Sequence, residues 1–170
     1  MKKQTRKIAL GALFTALGVT LMLLGAAIGI GTYAAPMLAG LLLLPLGARY
    51  GTKYQLTVFA ATALLSLLLV AEAELKLMYL GFFGWYPAVH PFLERQRSIV
   101  RVIAKFSLFN AAVIAAEALV LFVFAPEVPG GSFLLLLLAL GNVVFFLYDR
   151  AIPRLAQMGT RYLRRLFPAA

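Results

Sequence analysis

Residues 2–30 read KKQTRKIALGALFTALGVTLMLLGAAIGI, four basic side chains followed by twenty-three residues without a charge. As a helix rising 1.5 Å per residue, the uncharged part reaches about 34 Å, enough to cross roughly 30 Å of hydrocarbon. No small-residue cleavage signal leads from it into a soluble domain, so it is read as a first membrane span at about 8–30 and not as a removable leader.

Five further apolar stretches follow, at about 34–48, 54–70, 75–89, 99–124 and 133–148. Pro45 breaks the second, and the second, fourth and sixth fall short of the usual twenty or so residues. Threaded as six spans, the chain puts all of its 16 lysines and arginines except Lys76 on one side. Short loops rich in Lys and Arg stay in the cytoplasm. The expected fold is therefore all-α: an integral membrane bundle of six transmembrane helices in a single domain, with both termini cytoplasmic. A short amphipathic cytoplasmic helix is expected in the tail 149–170, where Leu155, Met158, Tyr162 and Leu166 oppose Arg154, Arg161 and Arg165. The expected location is the plasma (inner) membrane of a bacterial cell.

Composition agrees with that class. The chain is 63% hydrophobic and 13% charged over 170 residues, with a mean hydropathy of +0.93. A soluble domain of this length has no means of covering so much apolar surface. The net charge of +10 belongs to span ends and forms no continuous stripe, which argues against nucleic acid and for anionic lipid headgroups. Cysteine is absent, excluding disulfides and thiolate chemistry. One histidine, His90, does not make a metal site by itself, and no HExxH spacing occurs. Neither a nucleotide-binding glycine loop nor paired aspartates are present. No enzyme, metal or cofactor is expected, and His90, between Pro87 and Pro91, is read as a turn residue.

Glu117 is the most informative polar position, roughly 10 Å inside the external end of the fifth span. A carboxylate at that depth must find a partner, face a cavity or stay protonated. Asn110 lies two turns away on the same face, and Asn142 lies near the middle of the sixth span, at a depth between Asn110 and Glu117. Tyr33 borders the first external loop (29–36), read as a turn or a re-entrant segment. Tyr79 and Trp85 lie in the aromatic fourth span. Tyr33, Tyr79, Trp85, Glu117 and Asn142 are thus the candidate substrate contacts. Glu72, Glu74 and Glu127 are read as solvated loop carboxylates. Ala12 and Ala16 form a small-xxx-small pair that lets a neighbouring helix approach closely, either within the chain or from a partner. Arg97, Arg101 and Lys105 recur every four residues as one charged helical face, which suits headgroups or a docking partner.

The opening Lys-Lys-Gln-Thr-Arg-Lys-Ile-Ala-Leu-Gly-Ala-Leu-Phe-Thr-Ala-Leu-Gly of a short six-span chain resembles the substrate-binding S components of energy-coupling-factor (ECF) transporters. Their first helix docks on a transmembrane coupling subunit through an Ala-xxx-Ala element, matched by Ala12-Leu-Phe-Thr-Ala16. The resemblance implies uptake of a vitamin-like small molecule with a coupling subunit and ATPases, the ligand held near the external side. The run Phe82–Pro87 is similar to one in uncharacterised bacterial six-helix membrane proteins. The second reading of the residues is a non-enzymatic scaffold or assembly subunit recruited through its cationic faces. A lipid-modifying enzyme using Glu117 or His90 is a remote third.

Overall fold

The computed structural model describes residues 2–29, 32–124 and 131–166. Every regular element among them is helical. In order these are α1 (Lys2–Ile28), α2 (Ala34–Leu42), α3 (Leu44–Tyr50), α4 (Thr52–Leu69), α5 (Ala73–Met78), a π-helical turn (Tyr79–Phe83), α6 (Tyr86–Leu93), α7 (Ser98–Phe124) and α8 (Gly131–Leu166). Among the described residues, three helices are long and apolar enough to cross a membrane: Gln4–Ile28, Thr52–Leu69 and Ser98–Phe122. The other expected spans correspond to the broken rods α2–α3 and α5–π–α6 and to the first half of α8. Ile30, Gly31 and the expected last loop, with Glu127, lie outside the described residues.

Each break has a local cause. Pro45 offers no N–H and its ring crowds the preceding turn, so the helix is interrupted at Leu43 and restarts with the Leu46 and Gly47 N–H groups on the Leu43 carbonyl. Gly51, at φ +89, supplies the left-handed backbone that reverses the chain into α4. The tail departs from expectation. It is not a separate short helix, because α8 continues from Gly131 through Pro153 to Leu166. The change from apolar to charged side chains at Asp149 alters what surrounds the helix without removing its backbone hydrogen bonds.

Side-chain pairings give the topology. Gly11 faces Tyr54 and Gly18 faces Thr62, while Ser66 donates to the Met22 sulfur at 3.2 Å, so α1 and α4 run parallel. Asn110 meets Asn142 and Lys105 meets Asp149, so α7 and α8 run antiparallel. Phe82 packs on Phe109 and His90 approaches Lys105, which sets α5–π–α6 against α7. The chain thus alternates direction. One end of the bundle, here called basal, gathers the start of α1, the α3–α4 and α6–α7 turns and the end of α8. The opposite, apical end carries Tyr33, Glu74 and Glu117.

Two packing styles build the interior. Gly11 and Gly18, seven residues apart, bring α1 close to Tyr54 and Thr62 of α4, and the buried Gly25 continues the same spacing. The other half is aromatic: Phe82 stacks on Tyr86 at 4.5 Å and Phe109 on Phe145 at 4.6 Å, with Phe83 edge-on to Tyr148. The outward surface is apolar as well, with Leu68 82% and Phe122 88% exposed.

Gly40 joins the halves, since a Cβ there would lie 2.0 Å from the Phe83 carbonyl oxygen. Gly40→Ala should cost about 1–3 kcal/mol, as overpacking does. Gly81→Ala, which meets nothing within 4 Å, should cost nothing. Thermal melts in detergent distinguish the two.

Candidate functional site

At the apical end α2 begins beside α5 and α7. The Tyr33 hydroxyl, just before α2, donates to Glu117 Oε1 at 2.9 Å. Glu74, in the first turn of α5, lies beside both groups. Two neighbouring carboxyl groups make a place that favours a cation. Lys76, the one basic residue that the sequence places near this end, is engaged elsewhere, with its Nζ 3.3 Å from the Val70 carbonyl. Tyr33 also lines a cavity of about 220 Å³ with Phe83, Phe109, Val113, Leu140 and Val144. A polar pair and an apolar cavity therefore share one side chain.

The other expected contacts lie elsewhere. Asn142 and Asn110 exchange two hydrogen bonds, at 2.8 and 3.1 Å, and each also bonds to a carbonyl one turn back in its own helix. That saturates both amide N–H₂ groups and clamps α7 to α8. Tyr79 is fully buried among Met22, Ala35, Ala39 and Ala63, with its hydroxyl beside Thr62. Thr62 donates to the Val58 carbonyl at 2.9 Å, and the Tyr79 hydroxyl has no hydrogen-bond partner at contact distance. Trp85 lies edge-on to Phe82 and donates to the Gly81 carbonyl at 3.0 Å. The π turn makes that bond possible by leaving carbonyls outside the regular ladder.

A second polar centre lies toward the basal end. Lys105, only 4% exposed, bonds to both Asp149 oxygens at 2.7 and 2.9 Å and to Glu94 Oε1. His90 Nε2 lies 3.3 Å from Asp149 and 3.5 Å from Glu94. Tyr86 donates to Asp149, and Arg101 pairs with Glu94 at 3.0 Å. The expected common face of Arg97, Arg101 and Lys105 is thus divided. Arg97 is exposed in the turn before α7, Arg101 is ion-paired, and Lys105 points inward. His90, Glu94 and Asp149 place three potential metal ligands within 4.8 Å of one another, and the Lys105 ammonium sits among them as a built-in cation. His90, expected in a turn, lies within α6, one helical turn before Glu94, because Pro87 stands in the first turn of that helix, where a missing N–H costs nothing. Asp149 had no local signal, because its partner is 44 residues away.

No family model, curated protein or solved structure matches this chain. The geometry of the helices is accordingly the basis for assigning a role.

Ala12 and Ala16 complete the placement. Both are exposed on α1, whereas Gly11, Thr15, Gly18 and Val19 turn inward. The small-residue pair is outside the intramolecular packing and open to a neighbour.

The Lys105 ammonium, opposed by partial burial, holds the Glu94 carboxyl below its usual range. Burial opposes the same shift at Asp149 and is outweighed by hydrogen bonds from His90, Lys105 and Tyr86. Carboxyls with depressed folded pKa values stabilise the fold above their unfolded values and lose that contribution as pH falls through the folded ones. Thermal stability in detergent should therefore hold from pH 7 to about 5 and decline below about 4. Lys105→Met, which takes the ammonium from Asp149 and leaves Glu94 to Arg101, should cost about 3–5 kcal/mol at pH 7 and less in acid.

Proposed function

We propose that the chain is an S-component-like membrane subunit that binds a small molecule at its apical end and works with an ATPase-driven coupling module. In this reading the bundle crosses the membrane six times, with the basal end, where the basic residues gather, in the cytoplasm. The apical end then faces outside, where an uptake subunit meets its ligand. The observation that carries the reading is Tyr33: one side chain lines the 220 Å³ cavity and bonds to Glu117. Apolar cavities with a few convergent polar groups are the usual form of a ligand site.

The outward placement of Ala12 and Ala16 supports docking of a second membrane protein. With their neighbours Leu13 and Leu17 exposed at 52% and 43%, they make a shallow strip that a partner helix can approach closely. The scaffold reading loses support at the same time, since burial of Lys105 and pairing of Arg101 shrink one of the two cationic faces it needs.

The test is recovery of partners. Affinity purification from the native membrane should bring down a transmembrane coupling subunit and two ATPases. Ala12→Leu and Ala16→Leu should lower that recovery by about tenfold by blocking close helix approach. Recovery free of any such partner, together with no small molecule that raises thermal stability, would overturn the reading.

A further inference from the structure

The cavity at Tyr33 is a cleft with a side opening. Phe83, Phe109 and Val113 form its floor, and Leu140 and Val144 form its lip. Those two lip residues are 59% and 41% exposed on the outer surface of α8. In a bilayer the opening faces hydrocarbon, so an occupant reaches it through the lipid. An apolar cavity of about 150 Å³ holds a benzene molecule. The larger space here accepts a bulkier ring or a run of methylenes.

Charge selects the other end of the occupant. Tyr33 brings Glu117 to the cleft, Glu74 adjoins both, and Lys76 is bound to the Val70 carbonyl. The remaining lysines and arginines belong to the basal end. A carboxylate head would be repelled, an alcohol would gain one neutral hydrogen bond, and an ammonium would gain charge-assisted bonds.

We infer that the cleft takes a single-chain amphiphile with a protonated amine head, its tail between α7 and α8 and its ammonium on Glu117 and Glu74. This rests on the proposed role as a ligand-binding subunit and names the class of ligand. It also accounts for the opening: a molecule with an apolar tail is concentrated in the membrane, beside Leu140 and Val144, and not in the water above.

The experiment uses the full chain in phosphatidylcholine nanodiscs with decylamine, decanol and decanoate at equal membrane concentration. Thermal stability and native mass spectrometry report binding. Decylamine alone should raise the melting temperature and remain bound. Glu117→Gln, which keeps an acceptor for Tyr33, should weaken decylamine about tenfold, and Val144→Trp at the lip should weaken it as well. Equal responses to the three probes, or a decylamine response untouched by Glu117→Gln, would overturn the inference. If amine binding fails while Ala12-dependent recovery of the coupling subunit persists, only the ligand class is lost. If decylamine binds and no coupling partner exists, the cleft stands and the uptake role falls.

Discussion

A chain whose outer surface is hydrocarbon-like must satisfy its polar groups from within, and that constraint shapes this molecule. Its surface residues, such as Leu68 and Phe122, offer no hydrogen bonds to what surrounds them. Helices meet the demand for the backbone. Side chains meet it by pairing: Asn110 with Asn142, Thr62 with the Val58 carbonyl, Ser66 with Met22, Tyr33 with Glu117. Among the described buried side-chain atoms, Gln55 Nε2 and the Tyr79 hydroxyl stand outside this pattern. Polar residues here come in partners, and the pairs that join different helices report which helices are neighbours.

The same constraint divides the bundle. Where α1 approaches α4, glycines permit close contact and the polar groups are hydroxyls, those of Tyr54, Thr62 and Ser66. Where α6, α7 and α8 meet, aromatic rings fill the space and a charged knot at Lys105 ties the three together toward the basal end. The rings spread the helices, and near Tyr33 they leave a cleft that no side chain fills. A tight base and an open upper flank follow from the order of residues along α7: Lys105, then Phe109 and Asn110, then Val113 and Glu117.

Sequence reading reached the local features and missed the distant ones. Helix class and the extents of α1, α4 and α7 were legible, because apolar runs and Gly or Pro punctuation are local signals. The interruption of α2–α3 was visible in Pro45. The continuity of α8 was not, since a change in polarity resembles a change in structure. Periodicity put Lys105 on a face with Arg97 and Arg101, yet Glu94 and Asp149 draw it inward from 11 and 44 residues away. The Tyr33–Glu117 bond spans 84 residues, and Glu74 was read as a solvated loop carboxylate for the same reason. The Gly11, Gly18, Gly25 spacing was present in the sequence and went unread as a repeat.

Where water and lipid meet this bundle decides which face of the cleft a ligand reaches. The chain has no cysteine, so single cysteines can be placed without interference and probed with a membrane-impermeant maleimide. Intact cells should label Glu72→Cys and leave Arg97→Cys untouched until they are permeabilised, while Leu68→Cys stays unlabelled throughout. Labelling of Arg97→Cys from outside, or of Glu72→Cys and Arg97→Cys from the same side, would invert or dissolve the proposed site.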